Sequence, residues 1–242
     1  MKIGILTICY NEQDTIEAVI KNWDNKVYKH LILHSDKPWH GIEQPRDNTE
    51  EIVSKYQNTE FIRMNWRSEH EQRNWGLAYL YDYDYVLIVD ADELYTEKEQ
   101  GIILNRLGKE NRFEDNNYCY RIKNVNTYYK SLNEILDPPD THEPVIAVNP
   151  KKILFTEARV PNTDYQIPID VTMHHLTYCK SNDKMRNKFN QFEHCSDVKN
   201  NWFSDVWMSD SKNNVRAYGK ENSKCVNSPA PDEIKRLIDN PC

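Results

Sequence analysis

Glycine is scarce in this chain, with 6 in 242 residues. None lies between Thr7 and Glu12, just after the first apolar run, so the Gly-rich phosphate loop of a nucleotidyltransferase is absent. The six cysteines (Cys9, Cys119, Cys179, Cys195, Cys225, Cys242) form no Cys-x-x-Cys pair and keep no regular spacing. That excludes a zinc ribbon or a disulfide framework and predicts reduced, mostly buried thiols. No Asn-x-Ser/Thr acceptor occurs, in line with a chain that never meets a secretory lumen. No apolar run approaches the roughly 18 residues that cross a bilayer, and residues 3–9 lack the flanks of a secretory signal. The expectation is a cytoplasmic protein without a transmembrane segment. Basic charge is in deficit: Lys and Arg number 31 against 38 Asp and Glu, a net charge of −7. No global field draws such a chain to nucleic acid.

What remains is an ordinary globular composition, 38% hydrophobic and 29% charged, and a length that buries one full core. Residues 2–9 form a continuous apolar run, as a strand covered on both faces requires. Ile16, Val19, Ile20 and Trp23 then recur at helical spacing over 11–23. Short strands are predicted at 31–33, 61–64 and 85–89, and a helix at 47–56 opened by Asp47 or Asn48. Ser68-Glu69-His70-Glu71 and Thr96-Glu97-Lys98-Glu99 read as capping boxes that open helices to Tyr81 and Leu107. Four βα units in about a hundred residues imply an α/β, doubly wound, mostly parallel sheet flanked by helices, with ligands at the carboxyl ends of its strands. The second half is a smaller strand-rich lobe, with strands at 118–125, 145–148 and 171–175 and a helix at 184–194. The expected division is 1–198 as one domain (a 1–110 half and a 111–198 half), followed by a loosely attached 199–242 extension.

The sharpest chemical signal is Val86-Leu87-Ile88-Val89-Asp90-Ala91-Asp92-Glu93. A buried strand ends abruptly in three acids at the edge where such sheets bind ligands. In extended chain, carboxylates at i and i+2 share a face. Asp90 and Asp92 are therefore expected to hold one Mn²⁺ or Mg²⁺, hard cations that keep open positions for phosphate oxygens.

Four stretches resemble the GT-A glycosyltransferases, especially the family 2-like members. Ile5-Leu6-Thr7-Ile8-Cys9-Tyr10-Asn11-Glu12 is similar to their first strand and nucleotide loop. Arg73-Asn74-Trp75-Gly76-Leu77 is similar to their Arg-Asn-x-Gly helix. Val89-Asp90-Ala91-Asp92-Glu93 matches their metal motif, and His174-His175 with 180–188 resembles a downstream metal-ligand segment. The resemblance implies a Rossmann-like GT-A fold and a metal-dependent transferase. Such an enzyme moves a sugar from a UDP-, GDP- or dTDP-sugar to a glycan or other hydroxyl acceptor. It also implies that Thr7, Tyr10 and Glu12 hold base and ribose, that Asp36 takes part in base binding, and that Arg73 and Asn74 serve the nucleotide or its phosphates. Asn11 is open to two roles, donor binding or capping of the following helix. His174 and His175 end a predicted strand, so their rings point to opposite faces and one of them is the expected third ligand.

Phosphotransferases of the haloacid-dehalogenase type also end a strand in Asp-x-Asp. They do so on the first strand with Thr or Val two residues on, whereas here the strand is about the fourth and the residue is Leu94. A non-catalytic nucleotide-sugar or glycan-binding module is the remaining alternative, because a fold does not prove activity. An inverting transfer needs a base for the acceptor hydroxyl; Asp140, Glu143 and Asp170 are the leading candidates, with Asp137, His142 and Asp164 in similar loops. Trp39, Trp66, Trp202 and Trp207 are placed either to stack on sugars or to pack. The cluster Trp202-Phe203 with Trp207 is open to three roles: cover for the acceptor site, a subunit interface, or peripheral contact with a membrane surface.

Overall fold

The computed structural model describes residues 1–109, 117–139, 141–192, 195–218 and 222–239. In chain order the first half is β1 (Ile3–Cys9), α1 (Ile16–Trp23), β2 (Lys29–Ser35), α2 (Thr49–Val53), β3 (Thr59–Met64), α3 (Glu69–Tyr79), β4 (Tyr85–Ile88), β5 (Glu93–Leu94) and α4 (Glu97–Lys109). The second half is β6 (Cys119–Tyr129), β7 (Ser131–Asp137), β8 (Val145–Val148), β9 (Phe155–Glu157), β10 (Val160–Pro161), β11 (Gln166–Tyr178), α5 (Asn182–Gln191), β12 (Lys224–Asn227) and α6 (Asp232–Asp239).

The main sheet runs β12-β7-β6-β8-β4-β1-β2-β3. Strands β3, β2, β1 and β4 are mutually parallel, while β8 enters antiparallel between β4 and β6. Strand β11 leaves this path, running parallel to β6 and antiparallel to β5. The expected α/β architecture, a helix-flanked parallel unit with a strand-rich lobe, is the one observed. The chain winds outward from β1 to β3 and returns to the other side of β1 as β4. That reversal opens a crevice at the carboxyl ends of β1 and β4, where Glu12 and Asp90 lie.

β1 is buried at all seven positions, which explains its unbroken apolar run. Its side chains alternate between faces: Ile3 and Ile5 pack with Val19, Trp23, Ile103 and Leu107, and Leu6 and Ile8 pack with Leu77, Leu80 and Trp66. Gly76 lets α3 approach the sheet, because a Cβ there would lie 2.4 Å from the Leu6 side chain. Asn22 of α1 clamps the chain after β5 through Asn22 Nδ2 to Tyr95 O (2.7 Å) and Tyr95 N to Asn22 Oδ1 (2.9 Å). The Thr96 box is reciprocal, with Thr96 N donating to Glu99 Oε2 and Glu99 N to Thr96 Oγ1. At α3 the Ser68 hydroxyl accepts from Glu71 N, but Glu71 reaches back to the amide of Arg67 instead.

Several elements differ from expectation. Strand β11 extends well beyond 171–175, because pairing with β6 carries residues such as Gln166 and Pro168 that no apolar pattern marks. Helix α1 begins at Ile16 rather than near residue 11, because Asn11 adopts a left-handed φ of 54°. The chain from Lys199 is not loosely attached where it is described. Trp202, Trp207, Val215 and Ala217 are buried against Tyr129, Tyr178, Met185 and Phe189. β12 extends the sheet beside β7, and Ile234 of α6 enters the main core. Five described cysteines are unpaired, with Cys9 and Cys119 buried; Cys242 lies outside the described residues. Among the described residues no helix is long and apolar enough to cross a membrane.

Candidate active site

A cleft of about 800 Å³ opens at the carboxyl ends of β1 and β4. Asp90-Ala91-Asp92-Glu93 forms its floor, but not as extended chain. Glu93 N donates to Asp90 O (3.1 Å), and the Glu93 carboxylate accepts from Asp90 N (3.1 Å). Within this tight turn the two aspartates take different partners. Asp90 accepts from Arg73 Nη2 at 2.7 and 3.0 Å and lies 3.3 Å from Arg159 Nη1. Asp92 has its own partners: its Oδ2 accepts from Lys188 Nζ at 2.8 Å, and its Oδ1 lies 3.4 Å from His175 Nε2.

The pairing of β11 with β5 sets His175 opposite Glu93 and His174 opposite Leu94. The Leu176 amide donates to Asp92 O, fixing the strand against the acid turn. His175 therefore faces the cleft beside Asp92. His174 lies on the reverse face, with Nδ1 2.9 Å from the Tyr128 hydroxyl and Nε2 3.5 Å from Glu99. It does not join the acid turn.

Burial opposes ionisation of Asp92, but the Lys188 ammonium and His175 outweigh it and hold the carboxyl well below its usual range. Burial likewise works against a charged His175, and Asp92 overcomes it, so the imidazole pKa is raised. Asp90 is also lowered, as Arg73 and Arg159 outweigh its desolvation.

The β1 loop forms the opposite wall. The Asn11 amide donates to His34 Nε2 (3.2 Å) and its side-chain amide to Pro45 O (3.0 Å), so Asn11 ties two loops together and does not cap α1. Gln44 N donates to the Tyr10 hydroxyl at 2.8 Å. Glu12 pairs with Lys180. Tyr10, Asn11 and Glu12 all line the cleft. Thr7 lies beneath the floor: its hydroxyl donates to Val89 O (2.7 Å) and accepts from His30 (2.8 Å), with no exposed surface.

The other expected residues divide between the cleft lining and its surroundings. Asn74 clamps the backbone of Phe155 through both its amide atoms, each at 2.8 Å. Asp36 pairs with Arg46 (3.1 Å) and Arg63 (3.5 Å). Arg73 lines the cleft, yet its guanidinium is engaged by Asp90, Glu69 and the Ala158 carbonyl. Of the base candidates, Glu143 pairs with Arg121 (2.9 Å) and Asp170 with Asn124 (3.1 Å), whereas His142 lines the cleft. Asp140 lies outside the described residues. Trp39 lines the cleft; Trp66, Trp202 and Trp207 are core residues. The latter two satisfy their indole N–H on Val215 O and Asn182 Oδ1.

Sequence reasoning missed Arg159. It is buried, forks onto Glu93 (Nη1 2.5 Å, Nη2 3.2 Å) and donates to the carbonyls of Ile88 and Val145. No local pattern marks it, since it lies in the turn between β9 and β10. Lys184 and Lys188 did carry a signal, their spacing of one helical turn on α5.

Asp92 Oδ1 and His175 Nε2 are the kinds of donor that Mn²⁺ and Mg²⁺ accept. Among the described residues no group of three His, Cys, Asp or Glu side chains is placed to hold a metal. The residues fit a two-point hold that a bound phosphate would complete. Seven carboxylates and five Lys or Arg side chains line the cleft. An anionic ligand would therefore enter more favourably with a cation.

A sequence model described as Glycosyl transferase family 2 matches residues 4–185. No curated protein matches the chain. Among solved structures, the S. aureus TarS fragment 1-349 is similar at 15% identity and a TM-score of 0.48, over 73% of this chain and 61% of that one. TarS itself is similar at 17% identity and a TM-score of 0.38, over 53% of this chain and 22% of TarS. GalNAc-T7, solved with UDP, GalNAc and Mn²⁺, is similar at 9% identity and a TM-score of 0.47, over 72% of this chain and 44% of that one. The chain thus spans less than two thirds of each of these proteins.

Proposed function

The chain belongs to glycosyl transferase family 2, and on that premise we propose that its cleft binds a nucleotide-sugar and transfers the sugar to an acceptor hydroxyl, with a divalent ion on Asp92 and His175. The observation that carries this reading is the 3.4 Å approach of His175 Nε2 to Asp92 Oδ1 at the strand end. The net excess of carboxylates in the cleft supports a cation arriving with the donor. When bound, that ion supplies Lewis-acid neutralisation of the leaving diphosphate.

The chain's own groups bind and orient. Tyr10, Asn11 and Glu12 form the wall against which base and ribose lie. Arg73 and Arg159 hold Asp90 and the acid turn in place, so that Asp92 needs no reorganisation when the donor arrives. The second-half wall, with His142, Phe192 and Tyr218, is the side from which an acceptor hydroxyl approaches.

A thermal-shift series with UDP-, GDP- and dTDP-sugars, with and without Mn²⁺, tests the reading. Binding to the native state raises the melting temperature by mass action. A rise with one nucleotide, larger with Mn²⁺ than without it, is expected. No rise with any of them would overturn the transferase assignment. A binding module on the same fold predicts the rise without release of nucleoside diphosphate, so assaying metal-stimulated hydrolysis separates the two.

A further inference from the structure

Lys188 projects from α5 onto the acid turn, and its Nζ lies 2.8 Å from both Asp92 Oδ2 and Thr177 Oγ1. These two bonds use two of the three N–H groups an ammonium carries. Lys188, Asp92 and Thr177 all line the cleft. The pair is therefore not a salt bridge sealed in the core but a fixed cation at the face where a ligand arrives. Asp92 presents Oδ1 to His175 and Oδ2 to Lys188, so the ammonium and the metal-facing donors flank a single carboxylate. The other lysines on this side have partners elsewhere, Lys180 on Glu12 and Lys184 on Asp14.

Resting on the nucleotide-sugar reading above, we propose that Lys188 is a second cationic binding group for the donor diphosphate, positioned by Asp92 and Thr177, and that it binds phosphate even when no divalent ion is present. The carboxylate and hydroxyl hold the ammonium in place before the ligand arrives, so little side-chain freedom is lost on binding. Arg at this position would keep the charge, and Met would keep the stem length without it.

The test is calorimetric titration of UDP, GDP and dTDP, each against its own nucleoside, in EDTA and in Mn²⁺. It uses the wild type, Lys188→Met and Lys188→Arg, with far-UV circular dichroism to establish folding. In EDTA the wild type is expected to bind one diphosphate more tightly than its nucleoside. Lys188→Met should lose about tenfold in diphosphate affinity, the usual effect of one charged hydrogen bond, and none for the nucleoside; Lys188→Arg should retain most of it. Mn²⁺ binding to Lys188→Met, read by electron paramagnetic resonance, should be unchanged or tighter, since a competing cation is gone. Equal diphosphate affinity of wild type and Lys188→Met in EDTA would overturn the proposal, as would a loss of Mn²⁺ affinity in that variant. If the wild type binds no diphosphate in either medium, the nucleotide-sugar reading falls and takes this proposal with it.

Discussion

Arg159 grips Glu93 with both terminal nitrogens while its Nη2 also donates to the Ile88 carbonyl at 2.6 Å. One buried guanidinium thereby ties the last residue of β4 to the end of the acid turn. Their side chains are only 8% and 3% exposed, so neither charge has solvent to fall back on. The Glu93 carboxylate also accepts from the Asp90 amide, so this pair braces the acid turn.

Arg159→Met should therefore destabilise the fold by about 3–5 kcal/mol, because it leaves a buried carboxylate without its partner. Urea unfolding of the wild type and variant measures it. Adding Glu93→Leu should restore a large part of the loss, since the uncompensated charge is removed. A second change that gives no recovery would mean that the bonds to Ile88 and Val145 dominate.

The two neighbouring histidines should separate cleanly. His175→Asn is expected to weaken the Mn²⁺-dependent nucleotide shift by about tenfold or more in affinity at little cost in stability, and Asp92→Asn should do the same. His174→Asn should leave that shift intact and lower stability by about 1–3 kcal/mol, through the lost Tyr128 and Glu99 contacts. Thermal-shift titrations of the three variants decide it.

Acid should loosen the cleft wall that Asn11 and His34 hold together. Burial pushes the His30 pKa down to about 3. Burial, helped by the Arg63 charge, takes His34 to about 4. Both are depressed in the folded state, so the unfolded chain takes up these protons first as pH falls below the usual 6.5. Stability should then drop by ~1.4 kcal/mol per pH unit for each group until its folded pKa is reached. His34 Nε2 accepts the Asn11 amide, so a protonated ring would set two donors face to face there. Melting temperatures between pH 4 and 8 should fall toward acid, with a shallower slope in His34→Gln.

Gly76→Ala gains helix propensity worth up to about 1 kcal/mol, but its methyl would lie 2.4 Å from Leu6 and 3.1 Å from Leu33. Overpacking of a filled core costs about 1–3 kcal/mol, so a net loss is expected. Chemical denaturation measures it; a gain in stability would mean that Leu6 rotates away freely.

The parallel core and the location of the acid turn were legible in the residues themselves. A strand covered on both faces has to be mostly apolar, and β1, β4 and the centre of β2 (Leu31–Leu33) are; helices that cover them have to repeat every three to four residues, and α1 and α3 do. Three acids after such a strand stand out for the same local reason. Strand β11 was only partly legible, because ladder pairing, not apolar periodicity, carries its polar length. The partners of the acids were not legible at all. Whether Asp90 meets Arg73 and Arg159 or a metal, which of His174 and His175 faces Asp92, and that Lys188 stands on its other oxygen all depend on β11 and α5 folding back onto β4. Pairing alternates side chains between two faces, so a shift of one residue in the β11–β5 register would have exchanged the two histidines. No local pattern in the chain encodes that register; only the packed sheet sets it.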